Sequence, residues 1–475
     1  MSARIVVVVG AGAAGLTAAI TAAQAGARVT LLNAHPRIGL KILMSGGTRC
    51  NVTHREVTER DFNTSSRPFV ARVLRAFTPD QARAWFEAMG VGLKLEDTGK
   101  YFPVTDDAKT VLDALLAAAR QAGVEIGSGA RVVRLERVVA REAADDAGDE
   151  ADDDAETRAT AEGMPEAPAP VGAPAPQAHY RLGIETVKNA NVFGGGAVVK
   201  RGEEHWPLPR NQPDRWLEAD GVVIATGGLS FPRTGSDGTG YALVTALGHT
   251  LESTIPALTP LSSEDSLCRF GQGMTLEVEL TLRVDGRVAQ TIRGSMVIAH
   301  FGYSGPAALD LSRHWLRAER HERRVTANFV PGLGAEAMVA EWIDAATNAP
   351  QRTARRHLAA RLPERLAERL CEEAEVDPGA QVSQVPRERR AALIERVLER
   401  DLGVRGTLGY EKAEVTAGGV RLAEVNPSTL ESRVSPGLYL CGEILDVEGR
   451  LGGFNFQWAW SSGTVAGRAA ADDQA

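Results

Sequence analysis

Cysteine is scarce in this chain of 475 residues, and long uncharged apolar runs are absent. Cys50, Cys268, Cys371 and Cys441 lie far apart and form no CxxC pair, which excludes a zinc knuckle and a redox disulfide between neighbouring cysteines. No stretch reaches the roughly 18 apolar residues of a membrane span, and residues 1–4 lead into a strand instead of a signal peptide. We therefore expect a cytoplasmic protein without a metal site or membrane contact.

The chain also lacks a basic region. Its net charge is -8, and residues 141–162 alone contain ten acidic and two basic residues, so the remainder is close to neutral. Nucleic-acid binding depends on a basic face that neutralises phosphates. We therefore expect a small-molecule substrate and no nucleic-acid partner, while nothing indicates the oligomeric state.

The acidic run continues into a segment with five prolines in residues 165–176 and almost no large apolar side chains. Such a composition cannot bury enough surface to offset the entropy of ordering. It predicts a disordered surface loop over residues 141–178. A second irregular stretch, residues 189–215, is rich in glycine, proline and charge and is interpreted as an insertion.

Residues 5–33 have the pattern strand, glycine turn, helix, strand. The β-branched run at residues 5–9 is typical of a buried parallel strand. Gly10, Gly12 and Gly15 form a GxGxxG turn, in which the glycines allow the tight turn, the close approach of a pyrophosphate and the packing of helix on strand. Asn33 ends the second strand, where a ribose hydroxyl is usually bound by an acidic residue. The unit predicts a dinucleotide site with an uncharged ribose contact.

Three further segments favour FAD as the dinucleotide. Residues 39–53 form a turn rich in glycine and polar residues, residues 222–228 a buried strand ending in Ala-Thr-Gly-Gly, and residues 437–446 a strand followed by Gly-Glu. A glycine turn then starts a helix whose N-terminus is expected to stabilise negative charge on reduced flavin. The predicted cofactor-binding residues are Gly10, Gly12, Ala13, Ala14, Gly15, Asn33, Ala34, Lys41, Ser45, Gly46, Gly47, Arg49, Cys50, Asn51, Val132, Ala225, Thr226, Gly227, Gly442, Glu443, Gly453, Phe454, Asn455, Phe456 and Gln457.

The hydrophobic patterning predicts an interrupted α/β architecture. Residues 1–250 form the first part of a Rossmann-type FAD domain. Residues 251–334 alternate apolar and polar positions, with a turn at Asp285-Gly286, and predict an antiparallel β-barrel-like insertion. Residues 335–403 have helical spacing and predict a helical subdomain, and residues 404–475 return to the barrel edge and the FAD domain.

Six motifs, in this order, resemble the bacterial YhiN/BaiN-like flavoproteins, also called aminoacetone oxidase family FAD-binding enzymes. They are GAGAAGLTAA (10–19), KILMSGGTRCNVT (41–53), VVIATGGLSFPRTGSDGTGY (222–241), AHFGYSGPAALDLS (299–312), EKAEVTAGGV (411–420) and GLYLCGEILDVEGRLGGFNFQWAWSSG (437–463). The resemblance implies one FAD on a glutathione-reductase-like domain, with a small β-barrel insertion and a helical subdomain. It also implies reduction of conjugated enone rings in oxo bile acids, or an amine oxidase activity. Asn33 and Thr48 depart from the family pattern, which affects cofactor affinity more than cofactor identity.

Three side chains are candidates for catalysis. Cys50 follows Arg49, and a neighbouring cation lowers a thiol pKa, so Cys50 is either a thiolate beside the flavin or a small packing residue. His300 and Tyr303 lie in a turn-rich segment and are candidate proton donors, with helix capping as the alternative for His300.

Three more charged residues are candidates for binding. Arg233 and Asp237 either anchor an anionic substrate or the ribityl chain, or stabilise a turn. Glu443 occupies the position where related folds bind the ribityl chain.

No second strand-GxGxxG-helix unit is present, because TGSDGTG at residues 234–240 lacks the spacing. A nicotinamide donor would therefore bind transiently in the substrate cleft. We interpret the chain as an oxidoreductase with non-covalent FAD, linked to NAD(P)H, that transfers hydride between flavin N5 and a small organic substrate such as an enone. The alternatives are an amine oxidase that uses oxygen, and a flavin-bearing binding protein without turnover.

Overall fold

The computed structural model describes residues 3–138, 179–187 and 209–472. The loop predicted at 141–178 lies outside the described residues, as does most of the irregular stretch at 189–215. Among the described residues, no helix combines the length and the apolarity that crossing a membrane requires.

The described strands and helices are numbered here in chain order. The strands are β1 (Ile5–Val9), β2 (Arg28–Asn33), β3 (Thr53–His54), β4 (Phe62–Thr64), β5 (Leu93–Leu95), β6 (Lys100–Pro103), β7 (Glu125–Ser128), β8 (Ala130–Val138), β9 (His179–Thr186), β10 (Arg215–Ala219), β11 (Gly221–Ile224), β12 (Leu251–Ala257), β13 (Leu261–Ser263), β14 (Thr275–Val284), β15 (Arg287–Ala299), β16 (Gly302–Ser304), β17 (Arg323–Asn328), β18 (Arg400–Asp401), β19 (Val404–Thr407), β20 (Val415–Val420), β21 (Leu438–Leu440) and β22 (Val447–Gly449). The helices are α1 (Ala13–Gln24), α2 (Leu40–Thr48), α3 (Arg67–Ala76), α4 (Pro79–Ala88), α5 (Ala108–Gln121), α6 (Thr239–Ala246), α7 (Ser266–Phe270), α8 (Pro306–Arg317), α9 (Ala335–Asn348), α10 (Ala354–Leu358), α11 (Glu364–Glu373), α12 (Arg387–Leu398) and α13 (Phe454–Ala471).

The centre of the FAD domain is a parallel sheet with the strand order β21-β11-β1-β2-β7. Residues 6–9 of β1 are almost completely buried, as the continuous apolar run predicts for a central parallel strand. Helices α1 and α13 pack closely because α13 has glycines at the crossing. A Cβ atom at Gly463 or Gly467 would lie 2.5 or 2.3 Å from a carbonyl oxygen of α1. This packing places both helix N-termini at the carboxyl edge of the sheet.

The insertion contains a seven-stranded sheet with the order β18-β17-β14-β15-β16-β13-β19. Its long hairpin β14–β15 turns at Asp285 and Gly286, both with positive φ, as a two-residue hairpin turn requires. The outer strands β18 and β19 are separated only by Leu402 and Gly403, so one run of chain pairs with β17 at its start and with β13 at its end. The sheet thereby closes on itself, with an apolar interior.

Helices α9 to α12 pack against the barrel through a shared apolar core that includes Trp342, Leu366 and Leu370. At their junction, the buried guanidinium of Arg400 donates to Asp265 (2.8 Å) and to Glu373 (2.9 Å). A two-stranded ribbon of β12 and β20 connects the barrel to the FAD domain. The fold is thus a Rossmann-like α/β domain interrupted by a β insertion and a helical insertion, as the sequence predicts.

Candidate functional site

A cleft runs along the carboxyl edge of the parallel sheet, between the FAD domain and the β12–β20 ribbon. Parallel α/β sheets bind ligands at this edge. Most of the predicted cofactor residues line it, namely Gly10, Gly12, Ala13, Ala14, Asn33, Ala34, Lys41, Ser45, Gly46, Arg49, Asn51, Val132, Ala225, Thr226, Gly227, Gly442, Glu443, Gly453, Asn455 and Phe456.

The glycine loop has the geometry of a pyrophosphate cradle. Gly10 has φ of +104°, and a Cβ atom there would lie 2.4 Å from the carbonyl oxygen of Ala225. A Cβ atom at Gly15 would lie 1.7 Å from the Gly10 carbonyl oxygen, so Gly15 lets α1 pack on the loop. At Gly12, in contrast, no atom of the described residues lies within 4 Å of an added Cβ, and none of their side chains caps the N-terminus of α1. The open space therefore lies where helix N–H groups can receive a phosphate.

Asn33 supports this loop directly. Its side-chain oxygen accepts the N–H of Ala11 at 3.1 Å, and its amide nitrogen donates to the carbonyl oxygen of His35 at 2.6 Å. An asparagine can make both bonds because its amide carries a donor as well as an acceptor. The side chain lines the cleft, and its contact with the ribose stays a prediction.

At the other end of the cleft, α2 meets the N-terminus of α13. The sequence predicts only a turn over residues 39–53, and that prediction is incomplete: a helical turn from Leu40 comes first, and Gly46 and Gly47 then adopt left-handed conformations. Helix α13 begins after Gly453, which has φ of +92°, without a side-chain cap. A Cβ atom at Gly453 would lie 2.7 Å from the Asn51 side-chain oxygen. The positive end of α13 is therefore open to the cleft and suits an anionic or carbonyl-rich ring.

Glu443 lies in a hydrogen-bond network at the middle of the cleft. Its carboxylate accepts from Lys41 Nζ at 3.0 Å, from the Ser230 hydroxyl at 2.8 Å and from the Thr416 backbone N–H at 3.0 Å. Lys41 Nζ also donates to the Ser230 hydroxyl at 2.7 Å. Ser230 and Thr416 were not predicted as site residues, because no motif assigns a cofactor contact to either of them. The ribityl contact of Glu443 stays a prediction.

The loop before α13 is fixed from two sides. Gly449 and Asn455 exchange two hydrogen bonds of 2.8 Å, and the Leu451 N–H donates to Asp310 of α8 at 2.9 Å. Burial raises the pKa of Asp310 to about 6. The barrel therefore contacts the cleft through α8, a connection that sequence spacing does not reveal.

Five predicted cofactor residues do not line the cleft. Gln457 is buried behind it, where it accepts from the Thr53 hydroxyl (2.7 Å) and donates to the carbonyl oxygen of Phe77 (2.9 Å). Phe454 is buried and stacks on His54, with ring centroids 4.8 Å apart. The five residues are Gly15, Gly47, Cys50, Phe454 and Gln457.

Cys50 is not the activated thiol that its neighbour Arg49 suggests. It is completely buried, and burial raises its pKa to about 12. The Arg49 guanidinium points elsewhere: it pairs with Glu96 at 2.7 Å and lies over the Phe102 ring at 4.0 Å. The prediction of a thiolate beside the flavin is therefore wrong, and the alternative of a packing residue fits the structure.

We expect iodoacetamide at pH 8 to leave Cys50 unmodified in the native holoprotein, because thiolate is the reactive form and this thiol is neither ionised nor accessible. Peptide mass mapping after timed alkylation measures this, with the urea-denatured protein as the control for labelling. Modification of Cys50 in the native protein at the rate of a free thiol would contradict the assignment.

The other two catalytic candidates lie away from the cleft. His300 is exposed and has an edge contact with the ring of Phe301. Tyr303 belongs to β16 and is fully buried in the barrel core, where burial raises its pKa. Neither side chain lines the cleft, so the structure does not support a role for either as a proton donor there.

Of the two candidate binding residues Arg233 and Asp237, only Asp237 lines the cleft. The Asp237 carboxylate lines the cleft, accepts the Thr239 N–H at 3.0 Å and lies 3.4 Å from buried Arg131. Arg233 is half-exposed and lies 3.5 Å from Glu411.

The sequence analysis missed the wall of the cleft that faces the barrel. It is formed mainly by apolar side chains, together with the carboxyl group of Glu414 and the ammonium of Lys100. Four residues of this wall lie in quoted motifs, Phe231 in residues 222–241, Glu414 and Val415 in residues 411–420, and Leu451 in residues 437–463, but the motifs do not show that these residues face one cleft. The missed residues of this wall are Lys100, Phe231, Leu258, Glu414, Val415 and Leu451.

Comparisons with known proteins agree with this geometry. The family model of the HI0933-like protein Rossmann domain matches residues 4–161 and 198–469. The chain is 30% identical over 469 residues to the 3-dehydro-bile acid delta(4,6)-reductase of Clostridium scindens, with 98% of each chain covered. It is 29% identical over 456 residues to the ribosomal RNA dihydrouridine synthase of Escherichia coli, with 96% of this chain and 95% of the relative covered.

A solved structure, the 3-ketosteroid-delta4-(5alpha)-dehydrogenase from Rhodococcus jostii RHA1, is similar over 98% of this chain and 96% of its own, with 15% identity and a TM-score of 0.43. The family match covers most of the chain and includes the glycine loop, β11 and the start of α13, which together form the cleft. The chain therefore belongs to the HI0933-like Rossmann family and is an FAD-dependent oxidoreductase.

Proposed function

We propose that this flavoenzyme uses NAD(P)H to reduce a carbon–carbon double bond conjugated to a carbonyl group in a small organic substrate. The observation that carries the proposal is the wall opposite the cofactor residues. There Phe231, Leu258, Val415 and Leu451 form an apolar surface beside the open carboxyl group of Glu414. Such a wall suits a flat apolar substrate that must be protonated during reduction.

The names of the relatives support the same chemistry. A 3-dehydro-bile acid delta(4,6)-reductase acts on double bonds next to a ketone. A dihydrouridine synthase saturates the uracil double bond that is conjugated to a ring carbonyl. Both names therefore describe the addition of hydrogen across a double bond activated by a carbonyl group, and we extend this reaction type to the present chain.

The two ends of the cleft are suited to different parts of the cofactor. When FAD is bound, it supplies the hydride for the reduction. The glycine loop and the N-terminus of α1 would hold its pyrophosphate, and α2 and the N-terminus of α13 would bind its ring. The apolar wall excludes water and orients the substrate. Because the sequence has no second GxGxxG unit, the nicotinamide must use the same cleft before the substrate enters.

Ribosomal RNA is the rival substrate, because two relatives carry that name. The cations of the cleft wall argue for a small molecule, since several of them already pair with carboxylates. Lys41 lies 3.0 Å from Glu443, Arg49 lies 2.7 Å from Glu96, and Arg131 lies 3.4 Å from Asp237. Paired cations gain less from binding phosphates than free ones, because the existing ion pair must first be broken.

Anaerobic stopped-flow spectroscopy tests the proposal. We expect NADH or NADPH to bleach the flavin absorbance, and 2-cyclohexenone or a 4-en-3-one steroid then to restore it with formation of the saturated ketone. Failure of both nicotinamides to reduce the flavin, or fast reoxidation by oxygen after reduction by an amine, would overturn it. Ribosomal RNA is tested as the rival substrate by parallel incubation with the enzyme and mass spectrometry of the nucleosides. Formation of dihydrouridine without turnover of an enone would favour RNA.

A further inference from the structure

We propose that Glu414 is the proton donor for the carbon next to the substrate carbonyl. The inference rests on the proposed function and assigns its missing acid. It replaces His300 and Tyr303, which the structure places outside the cleft.

The position of Glu414 suits this role. The residue directly precedes β20, and its side chain is open to the cleft, which Leu258 and Val415 also line. Its backbone is fixed by a hydrogen bond from its N–H to the Leu258 carbonyl oxygen at 3.2 Å. A carboxyl group in this wall can contact a substrate that binds in the cleft.

Two residues that line the cleft with Glu414 have strained backbone conformations. Leu258 has φ of +52° and Phe231 has φ of +48°, and both line the same cleft. Left-handed conformations of large side chains cost about 1–3 kcal/mol each and concentrate at functional sites. The Ser230 hydroxyl, next to Phe231, lies 3.4 Å from the Glu414 carbonyl oxygen. The backbone of Glu414 is therefore hydrogen-bonded to Leu258 and to Ser230, which belong to the two strained segments.

The carboxyl group of Glu414 is also available for chemistry. Within the described part of the chain, no donor forms a hydrogen bond or ion pair with it. Glu443 is the opposite case, since its carboxylate already accepts from Lys41, Ser230 and the Thr416 N–H. Of the two carboxyl groups, Glu414 is the one free to contact a substrate.

The surroundings of Glu414 favour its protonated form. The neighbouring walls of the cleft partly desolvate the Glu414 carboxyl group and so raise its pKa, and the Lys41 ammonium opposes this with a smaller effect. Lys41 is itself paired with Glu443, which reduces its influence on Glu414. A carboxylic acid with a raised pKa keeps its proton to a higher pH, so it can act as a general acid and then be protonated again by water.

The reaction balances as follows. The far carbon of the double bond gains a hydride, and the π electrons move toward the carbonyl oxygen to give an enolate. The carbon next to the carbonyl then takes the Glu414 proton, which leaves a saturated ketone and a carboxylate. Reduced FAD, regenerated by the nicotinamide, is the source of the two electrons.

The test is the variant Glu414→Gln, studied by half-reactions. We expect the rate constant for reduction of the flavin by NAD(P)H to stay within about twofold of the wild-type value. The rate constant for enone reduction by the reduced enzyme should fall about 100-fold or more. The wild-type rate of enone reduction should fall as the pH rises through the pKa of Glu414, and the variant should lose this dependence. In D₂O, the wild type should deuterate one face of the carbon next to the carbonyl, and the variant should give a mixture of faces.

Two controls make the result decisive. Glu411→Gln changes an exposed carboxylate three residues away and should leave both half-reactions unchanged. Infrared difference titration of the apoproteins, wild type against Glu414→Gln, reads the raised pKa without any turnover. If Glu414→Gln fails to retain FAD, Glu414→Asp replaces it, with a partial loss of about tenfold expected in enone reduction only.

The possible failures are distinct. If the wild type reduces no enone, the proposed function fails. If the wild type is active and Glu414→Gln matches it in rate, pH profile and deuterium placement, the assignment of Glu414 is wrong. Equal losses in both half-reactions would also overturn it, because they indicate a structural effect.

Discussion

Replacement of Gly12 with alanine is expected to weaken FAD binding by at least about tenfold, or about 1.4 kcal/mol, while the apoprotein keeps its fold. In the part of the chain that the structure describes, an added Cβ atom at Gly12 meets no atom within 4 Å, and the residue has φ of -84°, which alanine adopts freely. The new methyl group would occupy the space that the pyrophosphate needs. Titration of apoprotein with FAD, followed by flavin fluorescence, measures the affinity, and thermal unfolding should show a change below about 1 kcal/mol.

Gly15→Ala is the matched variant with the opposite outcome. Its Cβ atom would lie 1.7 Å from the Gly10 carbonyl oxygen, so the backbone of the loop must move. We expect a loss of about 3 kcal/mol or more in the free energy of unfolding of the apoprotein. If Gly12→Ala destabilised the apoprotein as much as Gly15→Ala, or bound FAD as tightly as the wild type, the assignment of the cradle would be wrong.

Replacement of Gln457 with leucine is expected to lower the free energy of unfolding by about 2–4 kcal/mol. The buried amide accepts from Thr53 and donates to the Phe77 carbonyl oxygen and to Ser461, at 2.7 to 3.0 Å. Leucine leaves the Thr53 hydroxyl without its acceptor inside the core. Because this amide connects α13 to β3, the loss should also accelerate FAD release. Urea unfolding of the apoprotein and flavin release kinetics measure the two effects.

Gln121→Leu provides the control, since Gln121 is exposed at the end of α5. The free energy of unfolding of Gln121→Leu should stay within about 0.5 kcal/mol of the wild-type value. If Gln457→Leu folded as stably as Gln121→Leu but lost FAD, the original prediction of a direct cofactor contact would be correct and the structural role would fail.

The parts of the fold that depend on local pattern were predictable from the sequence. The apolar run of β1, the glycine loop and the Asp285-Gly286 turn each depend on neighbouring residues, and each lies where the pattern places it. The seven-stranded sheet was predicted only as a class, because its closure requires β18 and β19 to pair with strands far away in the chain.

The errors at the site have a common physical cause. The reactivity predicted for Cys50 came from its sequence neighbour Arg49, yet burial dominates the pKa, and the guanidinium is directed toward Glu96. Tyr303 was predicted from its turn-rich motif, but its side chain enters the barrel core.

The centre of the site joins residues that are distant in the chain. Lys41, Ser230, Thr416 and Glu443 come from four separate segments and meet only in the fold. Lys41 was predicted from its polar, glycine-rich turn and Glu443 from its position in related folds, and neither source could show that the two residues bind each other. Glu414 was missed for the same reason, because only the tertiary structure shows which carboxyl group remains free in the cleft.

A crystal structure of the holoprotein with FAD and an unreactive saturated analogue of the enone tests the central claim most directly. We expect the pyrophosphate at the glycine loop, the flavin ring between α2 and the N-terminus of α13, and the analogue against Leu258 and Val415. The Glu414 carboxyl oxygen should lie about 3 Å from the carbon that accepts the proton. A flavin ring outside this end of the cleft, or a substrate site on the far side of the ring from Glu414, would contradict the account.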